Sequence, residues 1–83
     1  MVNTIFLLKL KRPDSYNPAL EIVRGFVIVT ESEGHARVLA SNNAGDEGPS
    51  AWHYGRGRCT VEQLGFAKKT AKTGILLRDQ LTH

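Results

Sequence analysis

The stretch IVRGFVIVTESEGHARVLASNNAGDEG, residues 22–48, changes its hydrophobic period once, and that change decides the fold. From Ile22 to Val29 most residues are β-branched or aromatic, and alternation places Ile22, Phe26 and Ile28 on one face of a strand. Thr30 or Ser32 is then placed to accept the first free N–H groups of a helix, with Glu33 three residues after Thr30 as in a capping box. From Ala36 the period is 3.6, through Leu39, Ala40 and Asn43, and Gly45 is expected to stop the helix. Its stripe is mostly alanine with Leu39 and Val38, so the helix lies close to a sheet, buries little area per turn and depends on that sheet.

Working outward, Thr4–Leu10 reads as a strand with Phe6, Leu8 and Leu10 on one face and Ile5, Leu7, Lys9 and Lys11 on the other. Residues 12–20 hold two prolines and several turn formers and read as a loop. The second strand spans Glu21–Thr30, where Gly25 signals a bulge or a close approach by another segment. After the helix, residues 45–49 form a double turn, with Asp46 and Glu47 shaping it or meeting a basic partner, and Ala51–Tyr54 reads as a short strand with Trp52 directed inward. Thr60 followed three residues later by Gln63 repeats the capping-box pattern and predicts one or two helical turns ending at Gly65. Residues 66–73 read as a loop, Gly74–Arg78 as a last strand and residues 79–83 as a frayed tail. The expectation is one α+β domain over residues 1–83: an antiparallel sheet of about four strands, one main helix over Ser32–Asn43 packed on one face, and a second short helix. Trp52, Phe26, Ile28 and Leu39 should meet in one core. The other sheet face, with Ile5, Leu7, Val23, Val27 and Val29, then has no cover within the chain, which predicts a homodimer.

A chain of 83 residues allows one domain with a thin core, and its apolar and charged fractions are those of a globular protein. Cys59 is the lone cysteine, so no internal disulfide can form, and a cytoplasmic setting is expected. The Ile5–Leu8 run is too short for a signal peptide and precedes its charges, and no stretch approaches the roughly 20 apolar residues of a membrane span. No membrane partner is expected.

Eleven Lys and Arg against eight Asp and Glu give a modest +3, but the distribution is uneven. Between Trp52 and Arg78 stand six basic residues and one acid, Glu62, while Glu31, Glu33, Asp46 and Glu47 surround the helix. Arg56 and Arg58 between glycines, then Lys68, Lys69 and Lys72, with Tyr54 nearby for stacking, are the candidate binding residues, able in principle to contact phosphates. A solvated loop and lysine run is the competing reading, because no nucleic-acid-binding module frames them. His53 and Cys59 lack the paired spacing of a zinc site, so no metal or other cofactor is expected. Cys59 follows Arg58 and precedes the expected short helix, both of which lower a thiol pKa, yet a small buried residue is the stronger reading. No pair of facing carboxylates or oriented nucleophile supports catalysis, and the chain is read as a non-enzyme.

Residues 27–64 carry an apolar strand, Ser-Glu, Ala-Arg and Ala on a helix, Ala-Gly-Asp-Glu-Gly, a Trp and then a Cys. This pattern resembles a group of small uncharacterised proteins from actinobacterial phages and their hosts, departing from it where Gly-Arg-Gly-Arg replaces an acidic or Asp-Pro turn after the Trp. The resemblance implies a phage or prophage setting. The expected function is therefore that of a phage-type accessory protein in the host cytoplasm that binds a host macromolecule, foremost a host protein. The alternative is a nucleic-acid binder using the basic segment 56–72.

Overall fold

The computed structural model describes residues 3–11, 20–53, 58–68 and 72–81, the side chains of Gln80 and Leu81 excepted. Strands β1 (Thr4–Leu10), β2 (Ile22–Thr30), β3 (Cys59–Phe66) and β4 (Gly74–Leu81) form one sheet in the order β3-β1-β2-β4, with every neighbouring pair antiparallel. The two most apolar strands lie in the middle, paired from Thr4 opposite Thr30 to Lys9 opposite Gly25, where each has a hydrogen-bonded neighbour on both edges and an edge strand has only one. The more polar β3 and β4 take the edges. One face is covered by helix α1 (Glu33–Asn42) and a short 3-10 turn, Pro49–Trp52. This is the expected α+β architecture, with four strands and the helix on one face.

The core lies between that face and its cover, where Phe6, Leu8, Leu10, Ile22, Phe26 and Ile28 meet Ala36, Ala40, Ala51 and Trp52. Phe26 and Trp52 pack edge to face with centroids 4.8 Å apart, and Leu39 packs against the cluster half-buried, so the four expected core residues do meet. Ser32, not Thr30, is the helix cap: its backbone is extended and its hydroxyl accepts from His35 N at 3.2 Å. The buried Thr30 hydroxyl instead shares a 2.7 Å hydrogen bond with His35 Nδ1. The helix ends at Asn42, and Arg78 Nε donates to the Asn43 carbonyl at 2.8 Å, tying β4 to the helix C-terminus. Gly45 is needed for a different reason than stopping the helix. A Cβ there would sit 2.4 Å from the Glu21 carbonyl oxygen, and only glycine lets the turn after α1 approach β2 so closely.

Several local expectations are corrected. Ala51–Tyr54 is not a strand: Ala51 and Trp52 belong to the 3-10 turn, opened by Gly48 at φ 84° and Pro49 at its first position, and Tyr54 lies outside the described residues. Thr60–Leu64 is not a helix but the middle of β3. A five-residue helix does not cover its nucleation cost, whereas pairing with β1 satisfies the same backbone groups, and Cys59 and Val61 alternate inward against Thr60 and Glu62. Phe66 closes β3 instead of opening a loop, and β4 runs to Leu81, past the expected end at Arg78. Val23 is fully buried in the core instead of lying on the second face. The shift in register between Val23 and Gly25 leaves Arg24 as an extra residue, and this bulge interrupts the alternation. Val38, on the far side of α1, is half-exposed.

Candidate interaction surface

Two charged side chains hold the covered face together: Glu47, expected only to shape its turn or meet a basic partner, and Arg37, which sequence reasoning passed over. Glu47 is buried, and its carboxylate accepts three hydrogen bonds: Oε1 from Val23 N at 2.9 Å and Gly45 N at 3.0 Å, and Oε2 from the Trp52 indole at 2.8 Å. One side chain thus joins β2, the turn after α1 and the 3-10 turn. Asp46 accepts from Glu21 N at 2.7 Å, two residues before the Val23 N that Glu47 holds, so both adjacent acids shape the turn against the start of β2. Arg37 on α1 pairs with Glu33 at 3.2 Å, and its Nη1 donates to the Trp52 carbonyl, the His53 carbonyl and Cys59 Sγ, each at 3.3 Å. Neither had a periodic signal in the sequence: Glu47 stands in a turn, and Arg37 lies beside the Ala36–Ala40 stripe of α1.

Cys59 is buried, and burial pushes its thiol above the ordinary value, only partly offset by the Arg37 guanidinium. No helix begins after it, so one of the two features expected to activate it is absent, and its state is that of a protonated core thiol. Among the described residues no three His, Cys, Asp or Glu side chains could together hold a metal ion, and no helix is long and apolar enough to cross a membrane.

The opposite face of the sheet is different in kind. Residues opposed across antiparallel strands share a face, so the register builds its rows directly. One row is Thr60, Lys9, Gly25 and Asp79; the next is Glu62, Leu7, Val27 and Leu77; the third is Gly65, Ile5, Val29 and Gly74. At the edges the register slips twice: Ile5 pairs with Gly65 but Phe6 with Gln63, and Val27 pairs with Leu77 but Ile28 with Ile75. Leu64 and Leu76 are therefore extra residues, one on each edge strand at the same end of the sheet. The large apolar side chains exposed on these strands are Leu64 (51%), Phe66 (68%), Leu76 (63%) and Leu77 (58%). Side chains with this much exposure near one sheet face are far more than a scatter of single surface leucines.

Two open concavities are lined by described residues. One, of about 560 Å³, lies over Leu7, Val27 and Leu77 and reaches Lys9 and the Arg24–Asp79 ion pair. The other, of about 630 Å³, is lined by Ile5, Val29, Phe66, Ala67 and Leu76, with Lys68 and Lys72 completing the lining. Of the candidate binding residues, Lys68 and Lys72 are thus brought together on one concavity. Arg58 is exposed but precedes β3, its carbonyl accepting from Lys11 N at 2.7 Å, whereas Lys68 follows the strand. The eight residues of β3 separate the two by about 26 Å at the usual strand rise. Tyr54, Arg56 and Lys69 lie outside the described residues. No family model matches the chain, and neither a curated protein nor a solved structure is significantly similar to it.

Proposed function

We infer that this chain is a small non-enzymatic accessory protein of the phage type, acting in the host cytoplasm by binding a host protein through the open face of its sheet. The observation that carries this reading is the set of three exposed large apolar side chains that line the concavities of that face, Phe66, Leu76 and Leu77, beside half-buried Ile5, Leu7 and Val27. Exposed apolar surface lowers solubility unless a partner covers it, so its presence on a folded sheet favours docking over solvent contact. A second copy of the chain about a two-fold axis is the competing occupant, and light scattering separates the two.

The test is capture from host lysate, with and without nuclease, using the wild-type chain and Leu77→Asp. Leu77 is exposed, so the variant should keep its stability to within about 0.5 kcal/mol. Capture should survive nuclease and be lost in the variant. Capture unchanged in Leu77→Asp would move the binding surface elsewhere.

A second reading is supported by exposed Lys68 and Lys72 lying on one concavity: a nucleic-acid interface in the basic segment 56–72. Under it capture disappears with nuclease, and a gel-shift complex persists at about 150 mM salt with a slope that drops by about two when both lysines become alanine.

A further inference from the structure

The larger concavity has a shape and a charge that select among protein partners, and the argument rests on the reading of the open face as a docking surface. Its floor residues, Ile5 and Val29, are neighbours on adjacent central strands, and the edge residues opposite them are both glycine, Gly65 and Gly74. A Cβ built on either glycine meets nothing within 4 Å. The floor therefore continues across the strands to both edges, while Phe66 and Leu76 stand up as walls. Four strands at the usual spacing make this trough roughly 15–19 Å long.

A chain lying across strands cannot join the sheet ladder. If it were extended, its own N–H and C=O groups would face an apolar floor without partners, and each such group is costly. A helix satisfies those groups internally, and about 10–13 residues cover the trough at 1.5 Å per residue. The covered face already uses this solution, with the ten-residue α1 laid against it.

Charge narrows the choice further. Lys68 and Lys72 both line the trough, whereas the acids on this face lie outside it: Glu62 in the next row, and Asp79 beyond, held by Arg24 at 3.1 Å. A second copy placed with its two-fold axis along the strands would set these lysines against their own copies. With the axis across the strands it would set them near an Asp79 that Arg24 already holds. Glu62 is one acid for two lysines, so neither arrangement gives each lysine a free acid of its own.

We propose that the trough floored by Ile5 and Val29 takes an amphipathic helix from a partner protein, its apolar stripe flanked by Asp or Glu that meet Lys68 and Lys72.

The test presents a random library of 16-residue peptides, displayed in vitro, to the immobilised wild-type chain, to Leu76→Asp and to the Lys68→Glu/Lys72→Glu double variant, with light scattering of each. Wild type should enrich peptides with apolar residues at i, i+3, i+4 and i+7 and acids beside them, and Leu76→Asp should enrich none. The double variant, whose exposed substitutions leave the core intact, should bind the enriched peptides about tenfold more weakly and prefer basic ones. Helical peptides enriched without any charge preference, or enrichment of alternating extended sequences, overturn the proposed partner while leaving the open face a docking surface. No enrichment together with a dimer mass that Leu76→Asp abolishes makes a second copy the occupant and overturns the proposal. No enrichment with a monomer in every case overturns both the proposal and the docking reading.

Discussion

The two faces of this sheet are made from the same strands and answer to different demands. On the covered face, apolar residues from β1 and β2 are matched by Ala36, Ala40 and Trp52, and the two polar side chains at its margin, Glu47 and Arg37, have hydrogen-bond partners. Among the described residues no buried side-chain nitrogen or oxygen lacks one. On the open face the central strands contribute half-buried Ile5, Leu7 and Val27, and the edge strands add leucines and a phenylalanine that nothing in the described chain covers. The contrast separates residues that hold the fold from residues free to serve a partner. A substitution on the first face should be read in stability, and one on the second in binding.

The largest effect that could break this contrast is Trp52→Ala. Trp52 is fully buried against Phe26, and its loss should cost about 3–5 kcal/mol, a large share of the stability of so small a domain. Chemical denaturation followed by circular dichroism measures it, and a loss under 1 kcal/mol would mean that the covered face is not the core. Glu47→Gln is more selective. The amide keeps one acceptor oxygen but sets an N–H₂ where either the Trp52 indole or the Val23 and Gly45 amides donate, leaving a buried donor facing a donor. A loss of about 1–3 kcal/mol is expected, with the Trp52 fluorescence of the folded state altered.

The smallest effect sharpens the comparison through pH. Burial raises the Cys59 thiol pKa in the folded chain, so on raising pH the unfolded chain releases this proton first and then holds fewer protons than the native one. The stabilising contribution is complete below the ordinary thiol value and is lost as pH rises through the folded value. Stability should therefore fall more steeply above about pH 8.5 in wild type than in Cys59→Ala. Equal slopes would mean that the thiol is not buried as it appears beneath Arg37.

What could be read from residues alone was local and periodic. The passage from strand to helix at Thr30–Glu33, the alternation of Thr4–Leu10 and the alanine stripe of α1 each depend on neighbours in sequence, and each stands where its period placed it. The second face was legible for Ile5, Leu7, Val27 and Val29 for the same reason, although Val29 is buried there by its neighbours and only the other three are half-exposed. Thr60–Leu64 carried a good local helix signal and still became strand, because β1 offered it a ladder of hydrogen bonds that five residues cannot make alone. Gly25 marked the bulge at Arg24, whereas those at Leu64 and Leu76 have no sequence signal. They arise where strands of unlike register are paired across the sheet, and they decide that Val23 turns into the core while Leu64 and Leu76 turn out. Long-range pairing likewise brought Glu47 to Val23 and Arg37 to Cys59, and set Lys68 and Lys72 on one trough with Arg58 at the other end of β3. Periodicity is a property of adjacent residues and so survives in the sequence; a site is assembled from segments that only the closed sheet makes neighbours.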